Sequence, residues 1–218
     1  MKKHANHIHV RYFSPLLPIA IVTAFCFLLA SCIEQKEQRL PIFGEKDVTG
    51  TDTLYHTIGN FRLVNQDSVI VTPETLRSKI YVADFFFTSC RTICPVMKTQ
   101  MLRVYESIQD DPDVLLVSHT IDPDHDTVAL LHDYAERLGV KSNKWYFLTG
   151  IKDSIYYLAQ TSYFATAMED GSEPDGFIHS GAFLLIDRKG RIRGKYDGTK
   201  EEDVNKLLKD IEILKKER

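Results

Sequence analysis

Cysteine is scarce in this sequence, with four in 218 residues, and there is a single tryptophan. No internal repeat or low-complexity tract occurs, and no acidic residue precedes Glu34. Each absence excludes something. Four cysteines do not make a disulfide-stapled scaffold. A folded part of roughly 150 residues buries about 70% of the surface its unfolded chain exposes, so it needs neither cross-links nor a structural metal. The cysteines are therefore available for chemistry. No basic stripe with interleaved aromatic residues is present, which argues against a nucleic-acid partner. The longest apolar run, Leu16–Ala30 with Pro18 inside it, is shorter than the roughly 20 residues of a spanning helix.

That run nevertheless has a familiar layout. Lys2, Lys3 and Arg11 precede it, and Leu29-Ala30-Ser31-Cys32 closes it. Charge, then an apolar stretch, then small residues describe an export signal. The closing tetrad is similar to a bacterial lipobox, in which the cysteine becomes the lipid-bearing first residue of the mature chain. The alternative is an uncleaved anchor helix. Either way residues 1–31 are expected to export the body and leave it tied to a membrane, facing the periplasm or the cell exterior. Lipid on Cys32 makes the body anchored rather than spanning. Cleavage before Cys32 removes three positive charges and no negative ones, which takes the formal charge from −3 to −6.

Residues 32–54 are polar and mixed, and are expected to form a tether. The globular pattern begins at Tyr55 and runs to residue 218. Phe61–Val64 and Val69–Val71 flank Asn65-Gln66-Asp67-Ser68, which predicts a hairpin. Ile80–Phe87 is apolar except for Asp84 and suits a strand buried on both faces. Helical spacing over Val96–Ile108, a strand at Val114–Val117, a helix at Thr127–Leu138 closed by Gly139, a strand at Trp145–Leu148 and a helix at Asp153–Tyr163 follow. Ala182–Ile186 and Arg191–Tyr196 predict a second hairpin, and Glu201–Leu214 a final helix. This alternation is an α/β order. It matches a thioredoxin-like arrangement, a central mixed sheet flanked by helices with an N-terminal β-hairpin extension.

Cys26 falls in the signal and Cys32 at the anchor, so only Cys90 and Cys94 belong to the body. They follow a buried strand and open a helix. Ligands collect at the carboxyl ends of strands in α/β sheets, and a helix N-terminus favours a thiolate. Three residues separate the pair, against two in thioredoxin-type redox motifs. Pro95 disfavours helical geometry at Cys94, which places both sulfurs on the loop ahead of the helix. Such a loop can aim two soft thiolates at one ion, and soft thiolates select Cu(I). The alternatives are a structural disulfide, two buried thiols, or a working thiol–disulfide oxidoreductase. A peroxidase fits less well, because Thr88 stands two positions before Cys90 rather than three.

His179 precedes the strand Ala182–Ile186. In a thioredoxin-like fold its loop lies against the cysteine loop, where an imidazole can serve as third ligand to copper. Taken by itself, a histidine beside a strand is more often a hydrogen-bonded structural residue. The stretch His119-Thr120-Ile121-Asp122-Pro123-Asp124-His125-Asp126-Thr127 also follows a core strand. Asp126-Thr127 can cap the next helix, Asp122 can orient a ligand or contact a partner, and His119 and His125 are expected to face solvent; the alternative is that this Asp/His cluster forms a second, hard-metal site.

Together Cys90-x-x-x-Cys94-Pro95 after an aromatic strand, Asp122-Pro123-x-x-Asp126-Thr127, and His179 ahead of Leu184, Asp187 and Gly190 resemble the SCO/SenC family over about residues 55–214. The resemblance implies a thioredoxin-like fold with Cys90, Cys94 and His179 as copper ligands. It implies copper delivery to the binuclear copper centre carried by a subunit of cytochrome c oxidase, with Cu(II) as a second oxidation state to test. It also implies thiol–disulfide reduction of that centre's cysteines. The chain departs from the family pattern at His125, where arginine is frequent, and at Arg91, where proline is common. Both departures bear on partner contacts rather than on a ligand.

Overall fold

In a computed structural model of the chain, residues 38–50, 52–172 and 176–217 are described, with His179 described by its backbone alone. The export segment and Cys32 lie outside these residues.

The run predicted to be buried on both faces is the central strand. Every side chain of β5 (Ile80–Phe86) is buried, Asp84 included. Its parallel neighbour β6 (Val114–Thr120) is equally enclosed, and β7 (Trp145–Thr149) continues the parallel set. Parallel strands need long crossovers. Here these are α2 (Cys94–Ile108) between β5 and β6, and α3 (Val128–Leu138) between β6 and β7. Thr127 caps α3 through its hydroxyl, which accepts from the Leu130 N–H, and Gly139 ends that helix in the left-handed conformation. A glycine takes that conformation without steric cost.

On one side, β10 (Ala182–Ile186) pairs antiparallel with β5, and β11 (Ile192–Asp197) pairs with β10. On the other, β3 (Leu63–Asn65) adds antiparallel to β7 and is followed by β4 (Ile70–Val71). The resulting order is β11-β10-β5-β6-β7-β3-β4. This is the mixed sheet expected, and the predicted N-terminal hairpin is its far edge. The hairpin turn is held by Asn65, whose Oδ1 accepts from the Asp67 and Val69 N–H groups at 3.0 and 2.9 Å. Helices α1 (Pro73–Leu76), α4 (Lys152–Thr161) and α5 (Glu201–Lys216) complete the layers. Two ribbons stand outside the sheet, β1 (Lys46–Thr49) with β2 (Asp52–Tyr55), and β8 (Ala167–Glu169) with β9 (Phe177–His179).

The two faces of the sheet separate the aromatic residues. Asp84, Phe86, Ser118, Trp145 and Phe147 share one face with Met97 and Met101 of α2 and Tyr134 of α3. On the opposite face Phe85 and His119 meet Tyr163, just beyond α4.

Part of the expected tether belongs to the folded body. Arg193 donates to the carbonyls of Leu40 and Pro41 at 2.6 and 2.9 Å. The Leu40 N–H reaches Glu217 at 2.7 Å and the Phe43 N–H reaches the Ile192 carbonyl at 2.9 Å. Residues 34–39 are polar, but Leu40-Pro41-Ile42-Phe43 is not. That short apolar stretch supplies a segment that can pack, so the ordered body begins about fifteen residues before Tyr55.

Candidate dithiol site

The chain leaves β5 at Phe86 and turns at once. The Cys90 N–H donates to the Phe87 carbonyl at 3.3 Å, closing a turn with Thr88 and Ser89 at its centre. Cys94 is the first residue of α2, with Ile93 as its cap and Pro95 in the second helical position. The expectation that Pro95 keeps Cys94 off the helix is therefore corrected. A proline in the first turn loses no hydrogen bond, and burial of Cys94 above Met97 and Met101 outweighs the bias against helical geometry before proline. The two sulfurs thus have different supports, one in a loop and one in a helix.

Neither cysteine is in a disulfide, and both are buried. Cys90 Sγ lies 3.6 Å from the Thr92 hydroxyl. Contact with Cys90, then burial, then the charge of Asp84 push the Cys94 thiol far above its usual range. The helix N-terminus alone would favour a thiolate, but here it is outweighed. The unligated pair holds its proton at Cys94, and a metal or a disulfide must displace it. Beneath Cys94 is a cavity of about 20 Å³ lined by Asp84, Met97, Ser118 and Trp145 among others. Trp145 Nε1 donates to Ser118 Oγ at 2.8 Å, and Ser118 donates to Asp84 at 2.5 Å.

The loop after β6 reaches the cysteine turn through Asp126. This side chain is fully enclosed and accepts from the Thr88 N–H at 3.1 Å, from the Thr88 hydroxyl, and from the Thr120 hydroxyl at 2.5 Å. His125 Nδ1 stands 3.1 Å from the same carboxylate, with its ring half exposed. Asp122 takes part mainly through its backbone carbonyl, which accepts from the Asp126 N–H at 2.8 Å. Burial, then the neighbouring Asp126, raise the Asp122 carboxyl. The carboxylate that grips the cysteine turn is Asp126, not Asp122. The sequence carried a signal for this in Thr88, a hydroxyl placed on the turn itself.

His119 does not face solvent. It is fully buried, stacked on Phe85 with ring centroids 5.1 Å apart and flanked by Tyr163 at 5.3 Å. The strand β6 extends to Thr120 instead of ending at Val117, and that carries His119 into the covered face. Neither ring nitrogen has a hydrogen-bond partner among the described residues. Burial pushes its pKa down to about 3.

His179 lies in β9, its backbone paired with Ala167. Residues on both sides of it lie close to the cysteine loop. The Phe177 ring is 4.9 Å from that of Phe87, and Ile93 Cδ1 is 3.5 Å from where a Cβ on Gly181 would stand. Lys152 ties this ribbon to the loop after β6, with its ammonium 2.5 Å from both Glu169 and Asp124. Among the described residues no group of three or more His, Cys, Asp or Glu side chains surrounds one point. The His179 ring is outside that description.

A mixed sheet carrying a reduced, buried cysteine pair at the carboxyl end of its central strand defines a thioredoxin-like dithiol protein. The SCO1/SenC family model matches residues 49–215, and the chain belongs to that family. The SCO1 protein homolog of Bacillus subtilis is 30% identical over 162 residues, covering 73% of this chain and 83% of that protein. BsSco, described as a member of the Sco family of cytochrome c oxidase assembly proteins and as having a disulfide switch, superposes with a TM-score of 0.68. It is 27% identical, over 83% of this chain and all of that one. ScoI of Arabidopsis thaliana with copper bound superposes with a TM-score of 0.59 at 28% identity, over 71% of this chain and 97% of that one.

Proposed function

We propose that this protein carries copper as cargo, binding Cu(I) through Cys90, Cys94 and His179 and delivering it during assembly of cytochrome c oxidase. The observation that supports this most directly is the pair of thiols in mutual contact at the carboxyl end of the central strand. Two soft sulfurs suit Cu(I), and an imidazole suits copper in either oxidation state. The contact of Phe177 with Phe87, and the nearness of Gly181 to Ile93, support a role for His179. Copper in the Arabidopsis relative and the oxidase-assembly description of BsSco supply the cargo and the acceptor class. Binding releases protons, Cys94's among them, so affinity rises with pH. Anaerobic titration of the reduced protein with Cu(I) against a competing chelator should show one tight site. Unchanged affinity in Cys90→Ala or His179→Ala would refute this ligand set.

A second reading is thiol–disulfide exchange with a partner's cysteines. It is favoured by the contact between the two thiols, which is the starting geometry for a disulfide. The two activities share the same sulfurs, so oxidation to Cys90–Cys94 should abolish copper binding. Full reductase activity in His179→Ala, with no copper bound by the parent, would make exchange the main function.

We infer in addition that Cys32 bears lipid and holds the exported body at a membrane. The support is the charge–apolar–small layout ending in Leu29-Ala30-Ser31-Cys32. Incorporation of a labelled fatty acid in the parent but not in Cys32→Ser tests it.

A further inference from the structure

Cys94 and Cys90 are not held with equal firmness. Cys94 is built into α2 and packed over Met97 and Met101. Cys90 sits among residues 87–93, where the chain is in neither strand nor helix. From the loop after β6, the Asp126 side chain grips the turn that Cys90 closes, with His125 Nδ1 3.5 Å from the same Thr88 hydroxyl. Asp126 accepts from both the N–H and the hydroxyl of Thr88, and is itself fixed by the Thr120 hydroxyl and by its own N–H on the Asp122 carbonyl.

A fully enclosed carboxylate is costly unless donors surround it. No lysine or arginine pairs with Asp126 among the described salt bridges, where His125 alone appears. Nor does its side chain cap α3, since Thr127 does that. What its oxygens do is hold the cysteine turn to the end of β6. We propose that Asp126 is a positioning residue for Cys90, acting through Thr88 to keep the Cys90 sulfur against Cys94. This rests on the reading of Cys90 and Cys94 as the working dithiol, and it names the group that presets their geometry for copper or for a disulfide.

The test is the thiol–disulfide equilibrium of the full chain with glutathione, followed on the Cys90–Cys94 peptide by mass spectrometry. In that exchange the S–S bond of oxidised glutathione breaks and one forms between Cys90 and Cys94. Both thiol protons end on the two released glutathione thiols. A preset pair closes more readily than a loose one. Thr88→Val removes the hydroxyl donor and should lower the equilibrium constant by about tenfold, the size expected for a hydrogen bond to a charged group. Asp126→Asn should lower it at least as much. Thr88→Ser keeps the donor and should stay within about twofold of the parent. If Asp126→Asn fails to fold, the Thr88 pair decides.

An equilibrium constant unchanged in Thr88→Val overturns the proposal. So does a loss confined to the urea unfolding midpoint with the constant of the folded protein intact, because that is mere scaffolding. Cu(I) titration of the same proteins separates this from the cargo reading. A parent that binds no Cu(I) removes the cargo reading and leaves Thr88→Val to judge Asp126. A parent that binds Cu(I), with Thr88→Val unshifted in both measurements, removes this proposal alone.

Discussion

The two ends of the central sheet are held by different chemistry. At the carboxyl end of β5 the cysteine turn is fixed by hydrogen bonds to a carboxylate that pairs with no lysine or arginine among the described salt bridges, and by aromatic contacts such as Phe87 with Phe177. At the amino end Arg193 joins Asp187 at 3.2 Å and Glu217 at 2.6 Å, and Arg191 joins Asp187 at 2.7 Å. Burial by itself would raise the Asp187 carboxyl, but the Arg191 guanidinium and two backbone N–H groups hold it below the ordinary range. One end is a locked ionic clasp. The other is a pair of thiols whose ligation state can change.

The largest effect should come from breaking the clasp. Arg193→Met leaves Asp187 and Glu217 short of a buried partner and should cost about 3 kcal/mol or more. Urea unfolding reads that loss, while Cu(I) affinity of the folded protein should not move. A drop in affinity would mean the two ends are coupled. Cys94→Ala should do the reverse. Cu(I) affinity should fall by more than about 100-fold, beyond what loss of an outer partner produces, with a much smaller change in unfolding.

His119 sharpens the contrast on the pH axis. Its pKa is about 3 in the folded protein and about 6.5 when unfolded. The unfolded chain therefore binds the extra proton first as pH falls. The His119 contribution is constant above about pH 6.5 and erodes by about 1.4 kcal/mol per pH unit below that, until about pH 3. In His119→Phe the slope of stability against pH between 6 and 4 should flatten. An equal slope in both proteins would show that the carboxylates alone set it. The smallest effect should come from Lys152→Met. Its bonds to Asp124 and Glu169 are largely exposed, so the stability change should stay under about 1 kcal/mol and shrink with salt. If Lys152 matters for copper, its effect should vanish in a His179→Ala background.

Periodicity and run length made most of the sheet legible. Ile80–Phe87 had to be a central strand because such an apolar run is tolerated only when both faces are covered, and the structure ends it one residue early. The place of the cysteines, after that strand and at the head of a helix, was legible as well. What escaped was cooperation between distant segments. Asp126 reads locally as a helix cap, and only the sheet register brings it under Thr88. His119 reads as polar and exposed, because a histidine near a turn carries no mark of the aromatic layer that covers it. Leu40–Phe43 reads as the end of a tether, since its partner Arg193 lies some 150 residues away.

The clasp has a practical corollary. Leu40 and Glu217 are hydrogen-bonded to each other, so the folded body begins and ends at one spot. Ile192 aligns through Ile186 with Tyr81, at the start of β5. The cysteine turn follows the other end of that strand, about 17 Å along it. A fluorophore or a purification handle fused beyond Glu217 would start beside Leu40 and away from the thiols. A force applied at Leu40 would load Arg193 and the Phe43–Ile192 bond before it reached the dithiol. The molecule has, in effect, a handle at one end and a working tip at the other.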